Sequence, residues 1–447
     1  MTRTIGSLSG QHAERDSIEM HAIALTYDVS THTQPLAGVS ATPRRESFKL
    51  VATLDRDRLA IEHHDHRHVY DFELRRQAEI DLRSNTVHWY SLFAEVDYRS
   101  AESKNCLYIG EVAAAGGVPD GFMAPALVEH FFGLAAAKGG TKVDRAREGS
   151  DDVFGWNGHE LMAVSTDTEP LPSDFQAAYW RFLRYYARGH PAIYQALTGQ
   201  TGAAARIRVV LSHMETETRT LRLLRAAPAA SVPAAPTDAQ VADKTRNEPY
   251  ATLIRIGSDG PAELERRASA LCAVRDAAVV TRRKLWGRKN LDAMLASLER
   301  GFMTGDNDAA WMQSHRRALD ADREVRRLMK AVSPSSRKDA QQAIRTFDAL
   351  KRRDPDARYV LDVLAGSMLL QLGEPAEAID RLLSVLRRNP LLVGPWIDLG
   401  RAYRARYDMP AAWTCWDAAR ALNPDHPFRS VPGEIEQRLL HEHPEFF

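Results

Sequence analysis

Four histidines, His63, His64, His66 and His68, fall within six residues around Asp65, a dense run of potential metal ligands and proton carriers. Imidazoles bind Zn, Ni or Cu when their lone pairs converge, and their charge changes near neutral pH. In an extended strand His64, His66 and His68 would share one face. The same spacing also suits a solvated hairpin reversal, so a metal site at His63, His64, His66 and His68 stands beside a polar turn as a reading of this cluster. Other chemistry is thinner. His159-Glu160 begins a zincin-like pattern, but Ala163 stands where the second histidine is required. The phosphate-binding G-x-x-x-x-G-K-[ST], the dinucleotide G-x-G-x-x-G and the nucleophile elbow G-x-S-x-G are all missing. Gly139-Gly140-Thr141-Lys142 is a fragment of a phosphate loop and reads as a flexible link. Asp151, Asp152, Glu215 and Glu217 read as surface carboxylates. No organic cofactor is therefore predicted, a metal is the one cofactor considered, and no motif stands behind an enzymatic activity.

The elements that would position these residues begin at Phe48. Phe48 to Leu54, Arg58 to Glu62, His68 to Leu74, Gln77 to Leu82 and Thr86 to Tyr98 are rich in Val, Ile, Tyr, Phe and Leu. Turn-like separators at Asp55-Arg56-Asp57, His63 to His66 and Arg83-Ser84-Asn85 make this stretch an antiparallel meander. Its longest segment, with Trp89, Phe93 and Val96, is expected to be its buried strand. Pro125 to Ala137 suits an amphipathic helix, and Val153 to Val164 a hairpin around Asn157-Gly158. A second helix over Phe175 to Arg188 carries Tyr179, Trp180, Phe182, Tyr185 and Tyr186 as core aromatics, and Arg206 to Ser212 pairs with Thr218 to Leu224 as strands. The fold class is thus an α+β N-terminal domain, an antiparallel sheet with covering helices, followed by an all-α helical repeat domain. Residues 1–46 read as a loose arm in which only His21 to Val29 could form a strand, and 47–227 as the α+β domain. The Pro/Ala-rich segment that opens with AAPAASVPAAP marks 228–248 as a linker. Residues 249–447 read as helical, after one more strand over Tyr250 to Ile256.

Self-similarity organises the C-terminal part. Gly366 and Gly400, Ala378 and Ala412, and Pro390 and Pro424 are each 34 residues apart. In the second copy Trp396, Leu399, Gly400 and Tyr403 precede Ala412, Trp416, Ala419 and Pro424. This order resembles the tetratricopeptide repeat over about 324–424, with an upstream half-copy at Ala343, Phe347, Leu350 and Pro355. The resemblance implies paired helices in which Gly366, Gly400, Ala378 and Ala412 allow close approach, Trp396, Tyr403 and Trp416 fill the space between, and Pro390 and Pro424 stop second helices. It also implies that first-helix residues line a concave groove for a protein or peptide partner. Mapped by position, these are Val363, Ser367 and Leu370, then Ile397, Arg401 and Arg404. In that arrangement Arg401 and Arg404 face solvent, so their replacement by Glu is expected to spare folding. The Lys/Asn pattern with which one subgroup grips C-terminal carboxylates is missing.

The chain has 59 Lys+Arg against 59 Asp+Glu, but residues 281–353 hold 18 basic and 9 acidic side chains, including Arg282-Arg283-Lys284 and Arg288-Lys289. Such a face could attract RNA, DNA or anionic lipid. Only Cys106, Cys272 and Cys415 are present, which argues against a disulfide framework. No apolar run reaches membrane-spanning length and no secretory signal is read near the start, so a cytoplasmic location is expected. The function that best fits is a noncatalytic protein-interaction scaffold. The alternatives are an enzyme or metal-binding sensor in the α+β domain with the repeats as docking arm, and RNA or DNA binding through 281–353.

Overall fold

A computed structural model describes residues 21–35, 42–116, 123–135, 140–213, 215–234, 240–241, 260–280 and 289–447. Among the described residues there are fourteen strands: β1 (Ala22–Pro35), β2 (Arg44–Leu54), β3 (Arg58–His63), β4 (His66–Asp71), β5 (Arg76–Asp81), β6 (Thr86–Ser91), β7 (Asp144–Glu148), β8 (Asp151–Trp156), β9 (His159–Ser165), β10 (Thr168–Glu169), β11 (Ala203–Ala204), β12 (Arg206–Ser212), β13 (Glu215–Ala229) and β14 (Gln240–Val241). Twelve of them form one sheet in the order β14-β6-β5-β4-β3-β2-β1-β13-β12-β9-β8-β7, and β10 pairs with β11.

The expected meander from β2 to β6 is present, with antiparallel register throughout. Asn157 and Gly158 take φ of 50° and 78°, the backbone that a tight β8–β9 hairpin requires. Two expectations need correction. The segment of the arm that could form a strand does so but runs past Val29: Ala22–Pro35 is a central strand paired to β2 on one side and β13 on the other. Alternation explains its first half, where Ile23, Leu25, Tyr27 and Val29 point into the core, and pairing with β13 carries the strand on through Ser30 to Pro35. The buried strand expected over Thr86 to Tyr98 ends at Ser91, and helix α1 (Leu92–Ala115) takes over. There Leu92, Val96, Arg99, Ser103 and Cys106 are buried at spacings of three and four, so the period changes from strand to helix in the middle of an apolar run.

Helices α2 (Pro125–Phe132), α3 (Ser173–Tyr186) and α4 (Pro191–Ala196) complete the N-terminal part. Tyr179, Phe182 and Tyr185 of α3 are buried in the core with Leu25, Tyr27, Leu50, Leu59 and Ile61. The opposite side of the meander has its own small cluster, Ala60, Val69, Ala78, Ile80 and Val87, joined by Ala22 and by Val232. Val232 lies in the segment expected to be a linker. Instead of leaving the domain, the chain extends β13 to Ala229, returns over this face at Val232, and pairs Gln240–Val241 in parallel with β6. The strand expected at Tyr250 to Ile256 lies outside the described residues.

The rest is helical: α5 (Gly260–Val280), α6 (Lys289–Thr304), α7 (Ala309–Ala321), α8 (Arg323–Val332), α9 (Arg337–Lys351), α10 (Leu361–Leu372), α11 (Pro375–Arg388), α12 (Val393–Ala405), α13 (Met409–Leu422) and α14 (Ser430–Glu442). The protein is thus α+β and then all-α. None of its described helices is long and apolar enough to cross a membrane.

The pairs α10–α11 and α12–α13 repeat one packing scheme at a 34-residue offset. A Cβ on Gly366 would lie 2.9 Å from Leu382 Cγ, and one on Gly400 would overlap the Trp416 indole. Ala378 and Ala412 are fully buried at equivalent places. Asn389 and Asn423 follow α11 and α13, and their Oδ1 atoms accept from the amides of Leu391 and Asp425 at 3.2 and 3.1 Å. Their amide nitrogens reach α6, donating to Glu299 Oε1 at 2.9 Å and to the Thr304 carbonyl at 3.3 Å. The repeat therefore presents matching turns along one edge, where α6 docks.

The two regions share one core. Met409, Trp413 and Trp416 of α13, with Leu439 and Phe446, belong to the same buried cluster as the sheet residues Tyr27 and Tyr70. At this junction Asp97 of α1 is fully buried. It accepts two bonds from Arg404, at 2.9 and 3.0 Å, and one from Trp413 Nε1 at 3.2 Å.

Gly400→Ala should lower stability by about 1–3 kcal/mol, because the tryptophan beside it is rigid and enclosed. Gly366→Ala should cost less, since Leu382 can rotate. Urea unfolding of both variants measures the ranking, and a silent Gly400→Ala would refute close helix approach at this pair. Arg404→Glu is now expected to destabilise by about 3–5 kcal/mol, since it leaves Asp97 buried and unpaired. Arg401→Glu, which disturbs only a half-exposed pair with Asp398, should cost under about 1 kcal/mol. Equal melting temperatures for the two charge reversals would contradict the buried clasp.

Candidate functional site

The histidine cluster is the β3–β4 hairpin. His63 and His66 pair across the turn, and His64 sits at the reversal with φ of 51°. The reversal changes the parity expected from a continuous strand: His63, His66 and His68 share a face, and His64 does not belong to that row. The rings of His63 and His68 stack at 6.2 Å, and those of His63 and His66 lie 6.4 Å apart. His63 Nδ1 and His64 Nδ1 are 3.4 Å apart, and Phe48 packs on both rings at 5.5 and 4.8 Å. His68 stands opposite Glu79 of β5, and Glu79 opposite His88 of β6, so the row runs on across three strands. Among the described residues, no three His, Cys, Asp or Glu side chains are disposed to hold a metal ion. Burial and the neighbouring imidazoles hold His63 down at about 4, and burial also lowers His68. Protonation of His63 and His68 is thus opposed where they stack.

The remaining carboxylates are structural. Asp151 pairs with Arg206 at 2.7 Å, Asp152 with Arg145 at 2.8 Å and Arg147 at 3.2 Å, and Glu160 with Arg208 at 2.6 Å. Asp151 and Asp152 are buried rather than on the surface. Glu215 and Glu217 bind Arg44 and Arg219.

The six residues mapped to the repeat groove do not form one open surface. Val363 and Ile397 are buried, and Leu370 packs against the same core. Gly394, beside them at the start of α12, faces Phe302 of α6. Ser367 donates to Asp398, and Arg401 pairs with Asp398 at 3.1 Å. The solvent-facing position expected for Arg404 is corrected by its bond to Asp97, which draws it into the junction between the two regions. Leu399 and Ala419 are buried and Tyr403 is partly buried, as core positions.

A polar site that the sequence reading passed over lies where α2 meets α4. His190 caps α4, its Nδ1 accepting from Ala192 N at 3.2 Å, which assigns the proton to Nε2. That Nε2 donates to Glu129 Oε2 at 2.9 Å, and the Thr141 amide donates to the same oxygen at 2.8 Å. The fragmentary phosphate loop thus delivers an amide to an internal carboxylate. Beside it His130 Nδ1 accepts from the His190 amide at 2.9 Å, and His130 Nε2 is buried with no hydrogen bond among the described residues. Protonating His130 would place a proton on Nδ1, against the His190 N–H. With burial as the main cause, its pKa falls to about 3. Glu129-His130 in the sequence had no spacing partner, because His190 comes from sixty residues further along the chain.

His130 contributes to the acid response. A folded-state pKa below the usual 6.5 means that the unfolded chain binds the proton first, so stability is full above pH 6.5 and is lost as pH falls towards the folded value. For His130 the loss reaches about 2 kcal/mol by pH 5. Asp417, which burial pushes up to about 6, works in the opposite sense over part of the same window. The expected result is that His130→Phe, although weaker at pH 7, loses about 2 kcal/mol less than the parent between pH 7 and pH 5 in urea unfolding. Equal losses would show that His130 does not titrate against folding.

No family model matches the chain, and no curated protein matches it. Among solved structures, one titled "Lipid-protein interactions in lipovitellin" aligns with 94% of this chain at 10% identity and a TM-score of 0.18. The chain spans 54% of that structure's length. A score at that level carries no argument about fold or ligand.

Proposed function

We propose that the protein is a noncatalytic interaction platform, in which a helical repeat arm of the tetratricopeptide kind is held against an α+β body and binds a protein or peptide partner. The observation that supports this reading is the doubled packing scheme of α10–α11 and α12–α13, with Gly366 against Leu382 and Gly400 against Trp416. Such hairpins add stability by stacking and commonly present an extended surface for recognition. Because Val363 and Ile397 are buried and Arg404 is bound to Asp97, contact with a partner falls to Ser367, Leu370, Asp398 and Arg401. The three cysteines are unpaired, in keeping with a reducing compartment such as the cytoplasm.

The full chain is the proper bait, since α13 shares its core with the sheet. Affinity capture followed by cross-link mapping should place the partner on α10 and α12, and Arg401→Glu should weaken its binding about tenfold, or 1.4 kcal/mol. Cross-links confined to the sheet, with binding indifferent to Arg401→Glu, would defeat the proposal.

A further inference from the structure

The three helices α7, α8 and α9 carry a charge imbalance that the fold does not consume. Residues 309–353 contain twelve Lys and Arg against five Asp and Glu. All five carboxylates are engaged internally. Asp322 caps α8, and Asp339 bonds to Ser335 and Ser336. Glu324 pairs with Arg353, Asp348 with Arg381, and Asp320 with Arg316. In contrast, Arg317, Arg323, Arg327, Lys330 and Arg345 are exposed and form no ion pair among the described residues. Arg282, Arg283, Lys284 and Arg288, also expected in this basic stretch, lie outside the described residues.

The free cations are ordered. On α8, Arg323, Arg327 and Lys330 follow the i, i+4, i+7 spacing of a single stripe, opposite the buried Val325 and Leu328. On α9, Lys338 and Arg345 stand two turns apart, opposite Ala340, Ala343, Phe347 and Leu350. The helices are joined by only Ser333 to Ser336, which makes them antiparallel neighbours about 8–10 Å apart. The basic stripes therefore lie on two neighbouring helices.

We infer that this surface binds the phosphate backbone of a nucleic acid. A tightly docked protein or an amphipathic helix lying in a membrane gains most of its affinity from apolar anchors among the cations. Met329 is the single large apolar side chain counted as exposed on α7–α9 among the described residues. An array of cations that is mostly arginine and almost free of apolar anchors suits a repeating polyanion recognised through its phosphates rather than its bases. This site is separate from the repeat face proposed above, so either can fail alone.

The test is fluorescence anisotropy of the full chain with labelled DNA and RNA duplexes of arbitrary sequence. Binding should be clear at about 50 mM salt and should weaken steeply with added salt. Arg323→Gln with Arg327→Gln should reduce the slope of log K against log salt by about 2, in proportion to two lost phosphate contacts. The melting temperature should not change, because neither side chain has a partner to lose. If it does drop, Arg317→Gln with Arg345→Gln provides the same reading from different helices. Absence of binding at about 50 mM salt, or an unchanged slope in both double variants, would overturn the inference. So would stronger binding to polyglutamate or to phosphatidylserine vesicles, which would assign the basic stripes to an acidic protein or a membrane instead.

Discussion

The bond between Asp97 and Arg404 is the point on which the arrangement of the two regions depends. A carboxylate with no exposed surface is costly unless it is paired and its remaining lone pairs are filled. Here a guanidinium supplies two parallel donors and an indole N–H a third. The three groups come from α1, α12 and α13, so satisfying the charge requires the helical repeat to sit in one position on the sheet domain. Apolar contacts alone would tolerate sliding. A buried polar group that is satisfied in only one pose adds direction to an otherwise nondirectional core.

The surrounding core makes that pose costly to leave. Trp413 stacks on Phe93 at 4.7 Å and meets Trp416 edge-on at 5.0 Å. Phe446 and Phe447 close the same region: Tyr185 donates to the Phe446 carbonyl at 2.8 Å, and Phe447 packs on Phe93 at 4.6 Å. Helix α13 therefore belongs to two structures. Its Cys415, Ala418 and Ala419 pack into the repeat, whereas its Met409, Trp413 and Trp416 pack into the cluster of the sheet. The position that a free-standing repeat would expose to water is here an internal surface.

Periodicity explains what was legible beforehand. The meander, the Asn157-Gly158 hairpin, the aromatic face of α3 and the 34-residue repeat are local patterns, readable from spacing and turn chemistry without knowledge of the tertiary partners. Ala22–Pro35 was harder, since its later half, Ser30 to Pro35, is polar and is ordered by pairing with β13 residues such as Thr216 and Thr218. Arg404 was misplaced for a related reason. Its position in the repeat names the face on which it lies, but no local signal reveals that Asp97, some three hundred residues earlier, comes to cover that face. The Glu129–His190 pair was invisible for the same cause, and the histidine hairpin was read with the wrong parity because the reversal begins at His64.

Packing divides the surface of the repeat unequally. The turns at Asn389 and Asn423 are occupied by α6, the second-helix face of α13 by the sheet, and the first-helix residues Val363 and Ile397 by the interior. An array of packed helices gains stability from each such contact and loses accessible surface with it. Along α7–α9 the balance is different. There the apolar side of each helix is buried, while the outward side retains cations whose nearby carboxylates already serve caps and ion pairs within the fold. Exposed charge of one sign adds self-repulsion to the folded state. Along α7–α9 the folded state thus keeps an excess of outward cations that its own carboxylates do not neutralise.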